Sequence, residues 1–574
     1  MRRPSRSGLL LAFALCAGMP VAGQNLESIG REKPFTFSGG VSMNQIFYRG
    51  NGAQARREPY SYAASGNLSL SIYGWAIPLS FSFSNHHSTF SQPFNQYSLH
   101  PSWKWVTAHA GYTSMSFSPY TVNGHIFLGG GIDLAPGRSW KVSALYGRFL
   151  KAVEADRSGN SPKTPAFQRY GYGFKASYGT GADFIDAIVF HAADEPESIR
   201  SIHDSLGITP EENLVVSLGG GKTLFRHFRL KGEVASSALS KDTRAASAES
   251  RVVLARAGFL FKPRVSTSYY KAFKTSFDYQ REGWTIGAAW ERIDPEYKTL
   301  GAYYFNNDLE NVTLNLAGGL FQGKVNIAAS GGVQHDNLDD AKLSTMRRMV
   351  GSLNVSYASG QQFNLSASYS TFQTYTNIRS QFENINQLTP FDNLDTLNFT
   401  QISRSASVSG MHSFGAAAKK QTITTNLTWQ DAADVHGDAR QNSGTQFYNL
   451  NMTYAVNFPE RKFMFVAAVN GTMNEGVAFH TSTWGPNLSL TKLFLQGKLR
   501  TTVSSLFNRT FIDGVAQTAS TNVRVNGSVA LRQKHRLIVS AVMVSRAPVN
   551  ENSGTSIREF TGTAGYSYIF GSSH

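Results

Sequence analysis

The sequence predicts an all-β fold, a transmembrane antiparallel up-and-down β-barrel of about 26–28 strands with short turns at one end and longer loops at the other. Three observations predict it. Charged residues are only 16% of the 574 and aromatics reach 12%, yet mean hydropathy is −0.25. A soluble protein carries about a quarter charged residues, and a bundle of membrane helices would be far more apolar. Second, windows of about ten residues alternate apolar and polar side chains, the length a tilted strand needs to cross a bilayer. Third, very short links between these windows alternate with long polar ones.

The chain opens with Arg2, Arg3 and Arg6, followed by the apolar run Leu9-Leu10-Leu11-Ala12-Phe13-Ala14-Leu15-Cys16-Ala17 and the small-residue exit Val21-Ala22-Gly23. This order is that of a secretory signal peptide, and the run is too short for an anchor of about 20 residues. We expect a signal over 1–23 and a short periplasmic segment over 24–34. Leu15 stands where a lipoprotein needs a small residue, so Cys16 is not expected to carry lipid. It is the one cysteine of the chain, which excludes a disulfide framework and a cysteine zinc site. Loss of the three arginines lowers the formal charge from +16 to +13.

The barrel is expected over 35–570, with 571–574 as a tail. Val312, Leu314 and Leu316 oppose Thr313 and Asn315; Leu450, Met452, Tyr454, Val456 and Phe458 oppose Asn449, Asn451, Thr453 and Asn457. Ile423 to Trp429 and Val523 to Leu531 repeat the pattern. A soluble sandwich also alternates, but its strands are usually about five or six residues long. Short links fall at Gln533-Lys534-His535, Gln496-Gly497, Pro459-Glu460-Arg461, Ser359-Gly360-Gln361 and Gly323-Lys324. Between them lie 548–557, 513–520, 431–444, 376–398 and 334–345; upstream, 152–166 and 193–212 are long, 179–183 and 135–138 short. Following this parity to Phe35 gives about 28 strands, or about 26 if the region between Ile77 and Pro101 holds one hairpin fewer.

In the closing strand Phe560, Ala564, Tyr566, Tyr568 and Phe570 share one face, opposite Thr561, Thr563 and Ser567. This resembles the C-terminal recognition strand of Gram-negative outer-membrane β-barrel proteins, and the texture resembles large barrels of Bacteroidota. The resemblance implies insertion by the barrel-assembly machinery through Phe560, Tyr566, Tyr568 and Phe570. It also implies location in the cell outer membrane, with periplasmic short turns and extracellular long loops. TonB-dependent transporters share this texture, but the eleven residues 24–34 leave no room for their plug. An empty barrel of this size would leak, since 16–18 strands already leave an aqueous channel. We therefore expect the lumen to be filled by its own loops, a plug or an exported partner protein.

Chemical motifs are sparse. Gly219-Gly220-Gly221-Lys222-Thr223 lacks the glycine of a phosphate loop at Val216 and enters a strand instead of a helix. His86-His87 are adjacent, without metal-ligand offset, and neither His-Glu-x-x-His nor Gly-x-Ser-x-Gly occurs. No catalytic, cofactor-binding or metal site is expected, and an enzyme is not the leading reading. Nucleic-acid binding is not expected of an exported chain without basic-aromatic clusters. The sequence carries nine Lys/Arg and one acid, Asp513, from Thr491 to Arg546. Lys498, Arg500, Arg524 and Arg532 share the polar parity of their windows and are the candidate lumen-lining basic residues. Trp75, Trp103, Trp105, Trp140, Trp284 and Trp484 are the expected interfacial anchors among outer-membrane lipid. The sequence thus predicts a conduit or scaffold with a basic lumen. A structural or adhesive barrel acting through long loops and a barrel-embedded hydrolase stand as alternatives.

Overall fold

A computed structural model describes residues 35–571 except 52–57, 73–74, 86–95, 155–164, 200–207, 249–259, 343–346, 361, 372–401, 433–434, 437–438, 441–444, 477–479, 533 and 550–555. The expected signal and N-terminal segment, most of the tail, His86-His87 and the loop 376–398 lie outside the described residues.

The described strands form one 27-stranded antiparallel sheet in which each strand pairs with its neighbours in sequence. The first strand, Phe35–Asn51, pairs with the last, Ile557–Gly571, and closes the wall, with Gly40 opposite Ile569 and Phe47 opposite Gly562. Closure leaves no row of unpaired backbone groups, which lipid could not satisfy. Gln96–Leu99 and Ser102–Trp103 both pair with Trp75–Ser84 and Val106–Ser116 and share one position, so the barrel has 26 strands. The observed count is the lower end of the expected 26–28. His100 and Pro101 break that strand in two, and a proline there has no N–H for the ladder; among the described residues there is no additional hairpin.

Alternation places the apolar set outward. Leu314, Leu427, Met452, Val503 and Val525 are exposed on the outer face, while their sequence neighbours Thr313, Asn426, Asn451, Ser504 and Arg524 face the lumen. One correction concerns 513–520. Leu499–Ile512 and Val515–Leu531 are joined by Asp513 and Gly514 alone, both at positive φ (50° and 79°). An Asp-Gly pair with two positive φ values is the two-residue hairpin turn that suits strand twist. Residues 515–520, expected as loop, belong to the strand Val515–Leu531.

Aromatic rings mark both rims. Trp75 stacks on Trp103 with centroids 5.3 Å apart, and Trp140 meets Tyr178 at 4.9 Å, all at the short-turn end. Trp105 and Trp284 lie at the same end; Trp484 is outward near the long-loop end, opposite Arg509. Gly219 to Thr223 lie inside the strand Glu212–Leu224, with Lys222 Nζ donating to Asp183 at 2.8 Å. They form no phosphate loop.

Candidate functional site

Two segments at the long-loop end turn into the barrel. Residues 117–122 connect Val106–Ser116 to Asn123–Leu134, and residues 294–308 connect Trp284–Ile293 to Leu309–Leu320. The second carries Tyr297 and Leu300, both fully buried, and Phe305, partly buried against Tyr297. We call it the strap.

Val122 and Gly301 form a parallel bridge, and the Asn123 N–H donates to Gly301 O at 3.0 Å. Gly301 permits this approach: a Cβ there would lie 2.6 Å from Thr121 O and 2.9 Å from the Phe190 ring. The Tyr297 hydroxyl donates to Tyr120 O at 2.9 Å and the Thr299 hydroxyl to Thr121 O at 2.6 Å. From the wall, Ser237 Oγ donates to Lys298 O (2.7 Å), and Asn213 Oδ1 accepts from the Leu300 N–H (3.1 Å). Beneath these bonds lies a dry layer inside the lumen: Phe117, Val122 and Leu300 pack on Phe127, Leu145, Phe149, Ile188, Phe190 and Val215. A second cluster joins Tyr120 and Tyr297 to Ala235, Ala272 and Ile293.

Charges near the strap are paired. Arg169 grips Asp194 with two bonds (2.7 and 2.8 Å) and reaches Glu211 at 3.1 Å. Lys298 of the strap donates to both Glu211 oxygens at 2.6 and 2.8 Å. Two-pronged Arg–carboxylate pairing fixes orientation as well as charge. At the mouth, Glu296 accepts from Lys241 (2.8 Å) and Tyr270 (2.7 Å). Those two donors hold the Glu296 carboxyl below its ordinary range, and the same bond raises the Lys241 ammonium.

The wall is closed, its outer face carries a continuous apolar band, and rings mark both rims. A membrane can be crossed by strands only in such a closed form. The chain has the fold of an outer-membrane β-barrel. No protein-family model and no curated protein matches the sequence. Among solved structures, the translocation pore of the P pilus usher PapC is 10% identical and superposes with a TM-score of 0.40 over 93% of this chain and 100% of that one. The copper transporter OprC (7%, 0.37; 94% and 81% covered) and Pseudomonas aeruginosa OccK5 (9%, 0.25; 93% and 98%) are also similar. At these levels the similarity concerns barrel shape and carries nothing about cargo.

The predicted basic residues occupy different heights of the outer-membrane barrel. Arg524 lies mid-strand on the inner parity, between Ser504 and Val542. Arg500 is the second residue of its strand, opposite Ser528. Lys498 ends the 3-10 turn Leu495–Gly497, and Arg532 sits in a turn at φ 48°. These two are rim residues instead of wall residues, because both lie in links between strands, Lys498 just before Leu499 and Arg532 just after Leu531. Arg536 and Arg546, which are not among the predicted lumen-lining residues, share the inner parity of His535–Pro548 with Val542 and join Arg500 and Arg524 as wall residues. In the last strand Phe560 and Tyr566 are exposed outward, and Tyr568 and Phe570 share their parity. The strap was also missed. Its signal in the sequence is the density of rings over 297–305 (Tyr297, Tyr303, Tyr304, Phe305).

Proposed function

We propose that this barrel is a conduit across the outer membrane, narrowed on one side by its own strap, with an inner wall that is basic over the last third of the chain. The observation that carries the reading is the docking of residues 294–308 on the inner wall through a dry core and four hydrogen bonds to segment 117–122 and the wall. A strap held that way has one position, which a loop waving in solvent would not have. A circular barrel of this strand number measures roughly 50 Å across, so a strap on one arc leaves passage beside it. Arg500, Arg524, Arg536 and Arg546 supply positive potential to the opposite arc, which supports passage of anionic solutes or an acidic exported chain.

The test is the current through the purified protein in planar bilayers. Wild type should give stable channels, and Tyr297→Phe/Thr299→Val/Asn213→Ala, which removes three anchors of the strap, should raise unitary conductance and current noise. Absence of channels in both proteins would overturn the conduit; equal conductance would overturn the strap. The proposal includes no enzymatic step, and hydrolysis of esters or peptides by the pure protein would contradict it. Phe560, Tyr566, Tyr568 and Phe570 are proposed as the face read by the insertion machinery. Phe570→Ala should slow appearance of the folded, heat-modifiable band in cells.

A further inference from the structure

At the outer mouth, the strap and the ends of two strands enclose a cavity of about 510 Å³ lined by Tyr303, Tyr304, Asn307, Lys241, Glu296 and Lys298, among others. That volume falls within the range of small-molecule sites, about 300–1,000 Å³. Its chemistry is specific. Tyr303 and Tyr304 are each more than half exposed, although both sit on a loop fixed by buried anchors. Tyr303 is held as a platform: its ring stacks on His125 at 4.0 Å and its hydroxyl accepts the Ile126 N–H at 3.1 Å. Asn307 donates to Tyr297 O, which fixes its amide and leaves the carbonyl oxygen available as an acceptor.

The ions of the cavity cancel. Lys241 is bound to Glu296 and Lys298 to Glu211, so each ammonium has a carboxylate within 2.8 Å. An ionic ligand would have to break a pair or bring an uncompensated charge into the cavity, at a cost in desolvation. A neutral polyhydroxylated ligand would not. Its hydroxyls can add charge-assisted hydrogen bonds to carboxylates and ammonium groups that stay paired, and the C–H face of a pyranose can cover a tyrosine ring. We infer that this cavity is a binding site for a neutral oligosaccharide at the outer mouth of the barrel. The site stands independently of conduction, since its groups belong to the strap and the loop ends whether or not solute passes.

Full-length protein in detergent, labelled with a fluorophore, is applied to an array of neutral glycans with acidic glycans and short peptides as controls. The affinity of the best neutral glycan is then measured by calorimetry for wild type, Tyr304→Ala, Tyr303→Ala and Asn307→Leu. Binding to neutral glycans should weaken about tenfold or more on loss of either ring, while the outward variant Leu314→Val binds as wild type. Retention of the heat-modifiable band shows that each variant is folded. No neutral glycan bound, preference for acidic glycans or peptides, or affinity untouched by both tyrosine variants would each overturn the site. Channel currents serve as a separate readout: glycan binding without channels leaves the site intact and removes only the conduit.

Discussion

Asn213 is fully buried and uses its amide completely: Nδ2 donates to Ser237 Oγ (2.8 Å) and Ala238 O (3.0 Å), and Oδ1 accepts from the Leu300 N–H. Replacing it by alanine strands groups in a dry place. Each lost bond to a buried group costs about 1–3 kcal/mol, so Asn213→Ala alone should free the strap locally. Hydrogen exchange at Leu300 and Gly301 should quicken while barrel strands stay protected; unchanged exchange would mean that the apolar layer alone holds the strap. Arg169 is the ionic counterpart. Its side chain is 12% exposed and that of Asp194 4%. Arg169→Met leaves a buried carboxylate without its main partner and should destabilise by about 3 kcal/mol, read as a lower temperature for loss of the folded band in gels.

Strands and turns obey different constraints. Alternation fixes which face of each strand meets lipid, because a slip of one residue would turn every apolar side chain inward. That is why the windows at Val312, Leu450 and Val523 were read correctly. Turn lengths are less legible: 513–520 has one large apolar side chain, Val515, yet Asp513-Gly514 closes the hairpin and the rest extends the strand Val515–Leu531. Gly514→Val should cost about 1 kcal/mol or more from its positive φ, seen in the same thermal assay. Packing between strands adds a constraint invisible in one window. Gly318 sits under Trp284, and a Cβ would fall 2.3 Å from the indole. Gly318→Val should therefore push that ring off the wall, with a shift in tryptophan fluorescence in lipid vesicles; an unchanged spectrum would show that the ring has room elsewhere.

For the whole molecule, charge is divided by arc. The arc under the strap carries acids matched to cations, as at Arg169–Asp194 and Lys298–Glu211, whereas the late strands carry inward arginines at 500, 524, 536 and 546. In the proposed conduit, fixed positive charge along the passage would bias flow toward anions, weakly at high salt, where the Debye length falls to about 3 Å. Under a salt gradient at low ionic strength the reversal potential should report anion preference, and Arg500→Glu/Arg524→Glu/Arg536→Glu should shift it toward cations. A reversal potential blind to these changes would remove the basic wall from the function. On the outside, Phe261 packs on Leu214 and Ala238, which share the outward parity of Leu218 and Val234.

By itself the sequence determined the closed sheet, its inside and outside, and the two ends, because period-two alternation and turn parity are local properties repeated along the chain. The positive balance of the late strands was legible too, though not which members face the lumen and which sit in turns. Tertiary structure alone decided the strap and the cavity it builds. Gly301 beneath Phe190, Asn213 under Leu300 and Lys298 on Glu211 join residues far apart in the chain. No window contains both partners, and a loop of rings and charges reads as exposed until the wall that receives it is in place.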